Sequence, residues 1–100
     1  MMSSTFVTKH SLSTYKQYRS RAEIIAFILE AARGQKARHS DILSKASLSH
    51  ITFKQYLLLL LRYGLLEYFL NERTCRTTAK GLHFLYVFKE MKNLVSIDNL

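Results

Sequence analysis

The side chains equipped for chemistry are four histidines, one cysteine and a large excess of cations. His10, His39, His50 and His83 stand at no spacing that gathers metal ligands, either with one another or with Cys75. His39, Ser40 and Asp41 are contiguous, which is not the spatial arrangement of a catalytic triad. His39 reads as a surface residue and Ser40 as a helix cap. Cys75 lies between Arg73 and Arg76, cations that could depress a thiol pKa and make a redox sensor; a half-buried strand cysteine explains it equally well. There is no glycine-rich phosphate loop, because each of the 3 glycines ends or opens a helix. The expectation is a protein that is not an enzyme and uses no cofactor or metal.

What remains is charge. The 100 residues carry 15 Lys and Arg against 7 Asp and Glu, a net charge of +8 and a pI near 9.9. Such a bias favours an anionic partner, nucleic acid or a membrane surface, over neutral ones. It is concentrated in residues 34–64, where Lys36, Arg38, Lys45, Lys54 and Arg62 face Asp41 alone. Hydrophobic content of 48% suits one small ordered domain. No apolar run approaches the ~20 residues of a membrane span. A lone cysteine fits a reducing cytoplasm, and the N-terminus lacks the order of a secretory signal.

The element that would present this charge is a helix over residues 49–63, with Ser49 as N-cap and Gly64 as terminator. At about 100° per residue, Phe53, Leu57, Leu60 and Leu61 share one face and need a core. Thr52, Gln55 and Arg62 fall opposite, with Lys54 at the edge. That leading face is polar and uncharged to basic, the chemistry of a groove-reading helix and equally of any solvated one. Leu58 and Leu59 read as outward leucines, which suggests a protein contact.

The remaining elements fall into place around this helix. Residues 1–19, with Lys9, Lys16 and Arg19 and no acid, read as a basic arm that frays at its start, or lies on phosphates or a neighbouring subunit. Ser20-Arg21-Ala22-Glu23 is a capping box opening a first helix, which Arg33-Gly34 ends; Ala31-Ala32 would admit a close neighbour. Residues 35–39 form a basic link to a short second helix over 40–46, and Leu48 plugs the angle before the third. Two short helices joined by such a turn match a helix-turn-helix. Residues 66–77 read as a two-stranded hairpin turning at Asn71-Glu72. Thr78 caps a last helix over 78–96, in which Gly81 permits close approach to another backbone. There Phe84, Phe88, Met91 and Val95 form one stripe, and Leu82, Tyr86 and Leu94 lie off it. Either the second set meets another subunit, or one wide stripe faces the core.

The ordered set of residues resembles a known family. Arg19-Ser20-Arg21-Ala22-Glu23-Ile24-Ile25, Ile28-Leu29-Glu30-Ala31, Leu48-Ser49 and Lys54-Gln55-Tyr56-Leu57 are similar to the small archaeal winged helix-turn-helix proteins. Tyr63-Gly64-Leu65-Leu66-Glu67-Tyr68 and Thr77-Thr78-Ala79-Lys80-Gly81-Leu82 continue the likeness, which spans about residues 19–95. The resemblance implies a mostly α fold with a small β-hairpin wing, three helices before it and a long C-terminal helix after it. Residues 20–81 would be the winged domain, and 82–100 the rest of the last helix and the tail. It further implies a homodimer, joined through that helix at Leu82, Tyr86, Lys89 and Leu94, that binds double-stranded DNA as a cytoplasmic, nucleoid-associated transcriptional regulator. The DNA candidates are Ser49, His50, Thr52, Lys54 and Gln55 near the bases, and Lys36, Arg38, His39, Arg73, Arg76 and Lys80 near phosphates. The alternative is a winged-helix interaction module of the transcription machinery, with a protein partner at Leu58 and Leu59. The chain departs from the family pattern at Asp41, Leu43, His50, Leu58, Cys75 and Ala79.

Overall fold

A computed structural model describes residues 19–98, with side chains through Leu94. The basic arm expected before Arg19 lies outside the described residues. The elements run α1 (Arg21–Ala31), β1 (Ala37–Arg38), α2 (His39–Ala46), α3 (His50–Arg62), β2 (Leu66–Phe69), β3 (Thr74–Thr77) and α4 (Ala79–Asp98).

Local chemistry sets most boundaries. The Glu23 N–H donates to Ser20 Oγ at 3.1 Å while the Ser20 N–H donates to Glu23 Oε1 at 2.9 Å, which closes the capping box of α1. α2 stops at Ser47, whose φ of 54° is left-handed, and the Leu48 N–H closes the turn on the Leu43 carbonyl at 3.0 Å. α3 ends the same way, with Gly64 at φ 73° and the Leu65 N–H on the Leu60 carbonyl at 2.9 Å. Thr78 joins two helices: its Oγ1 accepts the Gly81 N–H at 3.1 Å, capping α4, and donates to the Gly64 carbonyl at 2.6 Å. Gly81 is the close approach the sequence implies. A Cβ there would run into the Leu65 carbonyl and the Thr77 methyl.

The core gathers Ile28 and Leu29 of α1, Ile42 of α2, Phe53 and Leu60 of α3, and Cys75 of β3, all fully buried. Thr77 binds β3 to α1, its hydroxyl donating to the Leu29 carbonyl at 2.6 Å and its N–H to the Ala32 carbonyl at 2.9 Å. Ala32 is fully buried at that crossing, as a small residue must be for the strand to come so near.

Three expectations are corrected. The wing is not a lone hairpin but a three-stranded antiparallel sheet of order β1-β3-β2, because Ala37 and Arg38 pair with Cys75 and Thr74. The basic link is therefore partly a strand. α2 begins at His39, with Arg38 rather than Ser40 in the N-cap position, and Asp41 Oδ2 accepts the Arg38 N–H at 3.4 Å. On α4 the buried residue is Leu85, flanked by half-buried Phe84 and Phe88, whereas Met91 is 58% exposed. The 20-residue α4 outlasts the 11-residue α1 against which it packs, so its later turns have less to bury against. The side chain of Val95 lies outside those described.

Candidate nucleic-acid interface

The first turn of α3 begins with a hydroxyl pair. Ser49 Oγ accepts the Thr52 N–H at 3.1 Å and donates to Thr52 Oγ1 at 2.9 Å. Both side chains are thereby engaged in capping, and Thr52 is half-buried. The freely exposed residues of α3 are His50, Ile51, Lys54, Gln55, Leu58 and Arg62. Since α3 contains no acid, this face is polar and cationic throughout, with two apolar interruptions. Those are Ile51 at 72% exposure and Leu58 at 71%. The sequence reading singled out neighbouring polar residues and passed over Ile51. Its signal was available: two positions before Phe53, it sits about 200° around the helix from that buried ring. Leu59, expected outward with Leu58, is half-buried, lining a shallow depression with Arg21, Gln55 and Tyr56.

The hairpin brings a second group. Leu66 pairs with Thr77, and Phe69 pairs with Thr74, so residues 70–73 form the tip. Arg73 sits there at φ 56°, a left-handed conformation unusual for a residue with a Cβ. Among the described residues neither Arg73 nor Lys54 has an ion-pair partner. Arg38, opposite Thr74 in the register, is loosely held, with Nε 3.7 Å from Asp41 Oδ2 and its side chain 76% exposed.

His39, the first residue of α2, is half-buried rather than the surface residue expected. Its ring stands edge-on to Phe53 at 5.2 Å between centroids and tilted against Tyr68 at 5.6 Å. Nε2 is buried without a hydrogen-bond partner. His39 directly follows β1, whose pairing with β3 fixes where α2 begins. Burial, then the charges of His50 and Arg73, lower its pKa below the ordinary 6.5.

Other candidates are differently engaged. On the outer face of the sheet, Lys36 Nζ is 3.1 Å from Glu72 Oε1 and 4.2 Å from the Phe69 ring centre. Arg76 Nε is 3.0 Å from Glu67 Oε2 and its guanidinium 5.3 Å from the same ring. Both cations are thus half-neutralised, though such part-exposed pairs are weak and can exchange for a phosphate. Lys80, on the first turn of α4, sits at the base of the hairpin, the opposite end from Arg73. Arg19 closes the other flank, donating to the Ser47 carbonyl at 3.0 Å and lying 4.9 Å over Phe27. Cys75 is fully buried, and burial pushes its thiol up to about 11, the reverse of a redox sensor's requirement. Along α4, Leu82, Tyr86 and Leu94 are exposed, while Lys89 reaches Glu30 of α1 at 3.4 Å.

Two helices joined through residues 47–49, followed by a hairpin that pairs with the strand ahead of them and by a helix closing the core, define a winged helix. The chain belongs to a winged helix-turn-helix family, whose pattern it matches over residues 18–96. Its fold is similar to that of Sso10a-2, a DNA-binding protein from Sulfolobus solfataricus, with a TM-score of 0.65 and 23% identity, covering 81% of this chain and 90% of that one. No curated protein sequence matches the chain. Among the described residues, no helix is long and apolar enough to cross a membrane, and no group of His, Cys, Asp or Glu could hold a metal ion.

Proposed function

We propose that this chain binds double-stranded DNA as a homodimeric transcriptional regulator, with α3 in the major groove and the β2–β3 hairpin as wing. The observation that carries the reading is Arg73. An arginine in left-handed backbone at the wing tip, where glycine would sit without strain, costs about 1–2 kcal/mol. The face of α3 has no acid and exposes Lys54 and Gln55. Phosphate contacts from Arg38, Arg73, Lys36, Arg76 and Lys80 would supply most of the affinity, and base contacts from His50, Lys54 and Gln55 a modest preference. Ser49 and Thr52 serve mainly to set the start of α3. Likeness of fold to a DNA-binding protein supports the same reading. The exposed apolar residues of α4 support a dimer through that helix.

The test is anisotropy of a labelled random duplex as salt is raised. Log K should fall with log salt by about 0.9 per phosphate contacted. Absence of binding at low salt would sink the proposal. A second reading, a protein-interaction module, draws on the 71% exposure of Leu58. Charge reversal of Arg38 and Arg73 to Glu abolishes DNA binding under the first reading and spares partner binding under the second. Leu58→Ser does the opposite.

A further inference from the structure

Ile51 has the wrong chemistry for a solvated helix face. It is the second residue of α3, 72% exposed, and β-branched, so it adds little to helix stability. Single exposed apolar residues are common and by themselves mean nothing. The surroundings of this one are specific. Its exposed neighbours on α3 are His50, Lys54 and Gln55, and α3 carries no acid. Leu58, the next exposed apolar residue of α3, is two turns away, about 10 Å along the axis, with Lys54 and Gln55 between. The apolar surface at Ile51 is therefore a single side chain set among hydrogen-bonding and cationic groups. An apolar protein partner would need a continuous patch, and an anionic membrane would favour a longer one. An anionic partner that presents an isolated methyl group fits both the size and the charge. The major-groove edge of a thymine is such a group, with its C5 methyl beside an acceptor oxygen.

We infer that Ile51 is a specificity-determining residue that packs on the C5 methyl of a thymine, with Gln55 one turn on reading a neighbouring adenine. The inference rests on the DNA reading above and adds to it the base that is preferred. A helix entering by its N-terminal end brings its first turn nearest the base edges, and Ile51 is in that turn. Gln55 follows about 6 Å along the axis, within two base-pair steps, and its amide matches the N6 and N7 of adenine. Together they favour A·T-rich sites without a charged base contact.

The experiment compares an alternating A·T duplex with the same duplex carrying deoxyuridine for thymidine, a change that removes only the methyl groups. Binding of each is measured by anisotropy at one salt concentration for the wild-type chain, Ile51→Ala and Ile51→Val. The wild type should bind the thymidine duplex about fourfold more tightly for each α3 engaged, the effect of burying one methyl, and so about 16-fold more tightly as the proposed dimer. Ile51→Ala should bind both duplexes equally, and Ile51→Val should keep most of the preference. Because Ile51 makes no core contact, unfolding midpoints should agree among the three proteins. Equal binding of the two duplexes by the wild type, or a preference that survives Ile51→Ala, overturns the inference while leaving DNA binding intact. Failure to bind either duplex at low salt overturns the DNA reading and the inference with it.

Discussion

Arg73 and His39 show how single residues carry opposite loads around the same site. Arg73 keeps a left-handed backbone, φ 56°, that costs an L-residue about 1–2 kcal/mol, against an entropic penalty for glycine of about 0.5–1 kcal/mol. Arg73→Gly should therefore stabilise the fold by about 0.5–1 kcal/mol in urea unfolding while weakening duplex binding and reducing the salt slope by about 0.9. A less stable variant would contradict the strain argument, and one that binds unchanged would remove Arg73 from the interface. His39 has its pKa lowered by burial first and by His50 and Arg73 after it. Below the ordinary 6.5 the unfolded chain takes up a proton that the folded chain resists, so stability should fall as pH drops from 6.5 toward the folded value, then level off. His39→Phe keeps the aromatic contacts and should flatten that component, read as the difference between wild-type and variant unfolding midpoints across pH. Parallel curves would contradict the burial argument.

Among the elements, α4 and the wing depend on one glycine. In an exposed helix, Gly81→Ala would gain about 1 kcal/mol of helix propensity. Here the new methyl meets the Leu65 carbonyl and the Thr77 methyl, and backbone cannot step aside as a flexible side chain can. Overpacking of this kind costs about 1–3 kcal/mol, so after the propensity gain the variant should be less stable by up to about 2 kcal/mol. The loss should be visible in thermal unfolding. An unchanged or raised midpoint would mean that α4 has shifted off β3. The same crossing explains why Thr78 both caps α4 and holds the end of α3: the helix has to start within reach of Gly64 and Leu65.

At the scale of the whole molecule, α4 carries the most exposed apolar residues of any element. Arg38, Lys54, Arg62 and Arg73 belong to β1, α3 and the wing tip, whereas the exposed Leu82, Tyr86, Met91 and Leu94 lie along α4. A homodimer through α4 would bury those apolar residues and leave the cations available. Its unfolding midpoint should rise with protein concentration, as mass action requires. Tyr86→Asp together with Leu94→Asp should abolish that dependence and halve the mass in sedimentation. A double variant that stays dimeric would move the interface elsewhere.

The sequence by itself determined whatever depends on near neighbours. Ser20 with Glu23, Ser49 as a cap, Gly64 as a stop and the spacing of Phe53, Leu57 and Leu60 act within a few residues, so α1, α3, the hairpin and the start of α4 were legible. So were the concentration of cations and the candidates Lys54, Gln55 and Arg73. Only the tertiary structure decided what depends on partners far along the chain. Two residues, Ala37 and Arg38, carry no period of their own and became a strand because Cys75 and Thr74 were there to pair with them. The next residue, His39, is half-buried against Phe53 and Tyr68. The β1–β3 pairing set Lys36 against Glu72, and the adjoining β2–β3 register set Arg76 against Glu67. Which face of a helix stays exposed is likewise settled by its neighbours. Ile51 and Leu58 remained outside while Leu59 was half covered, because burial is a property of the assembled core and not of the residue.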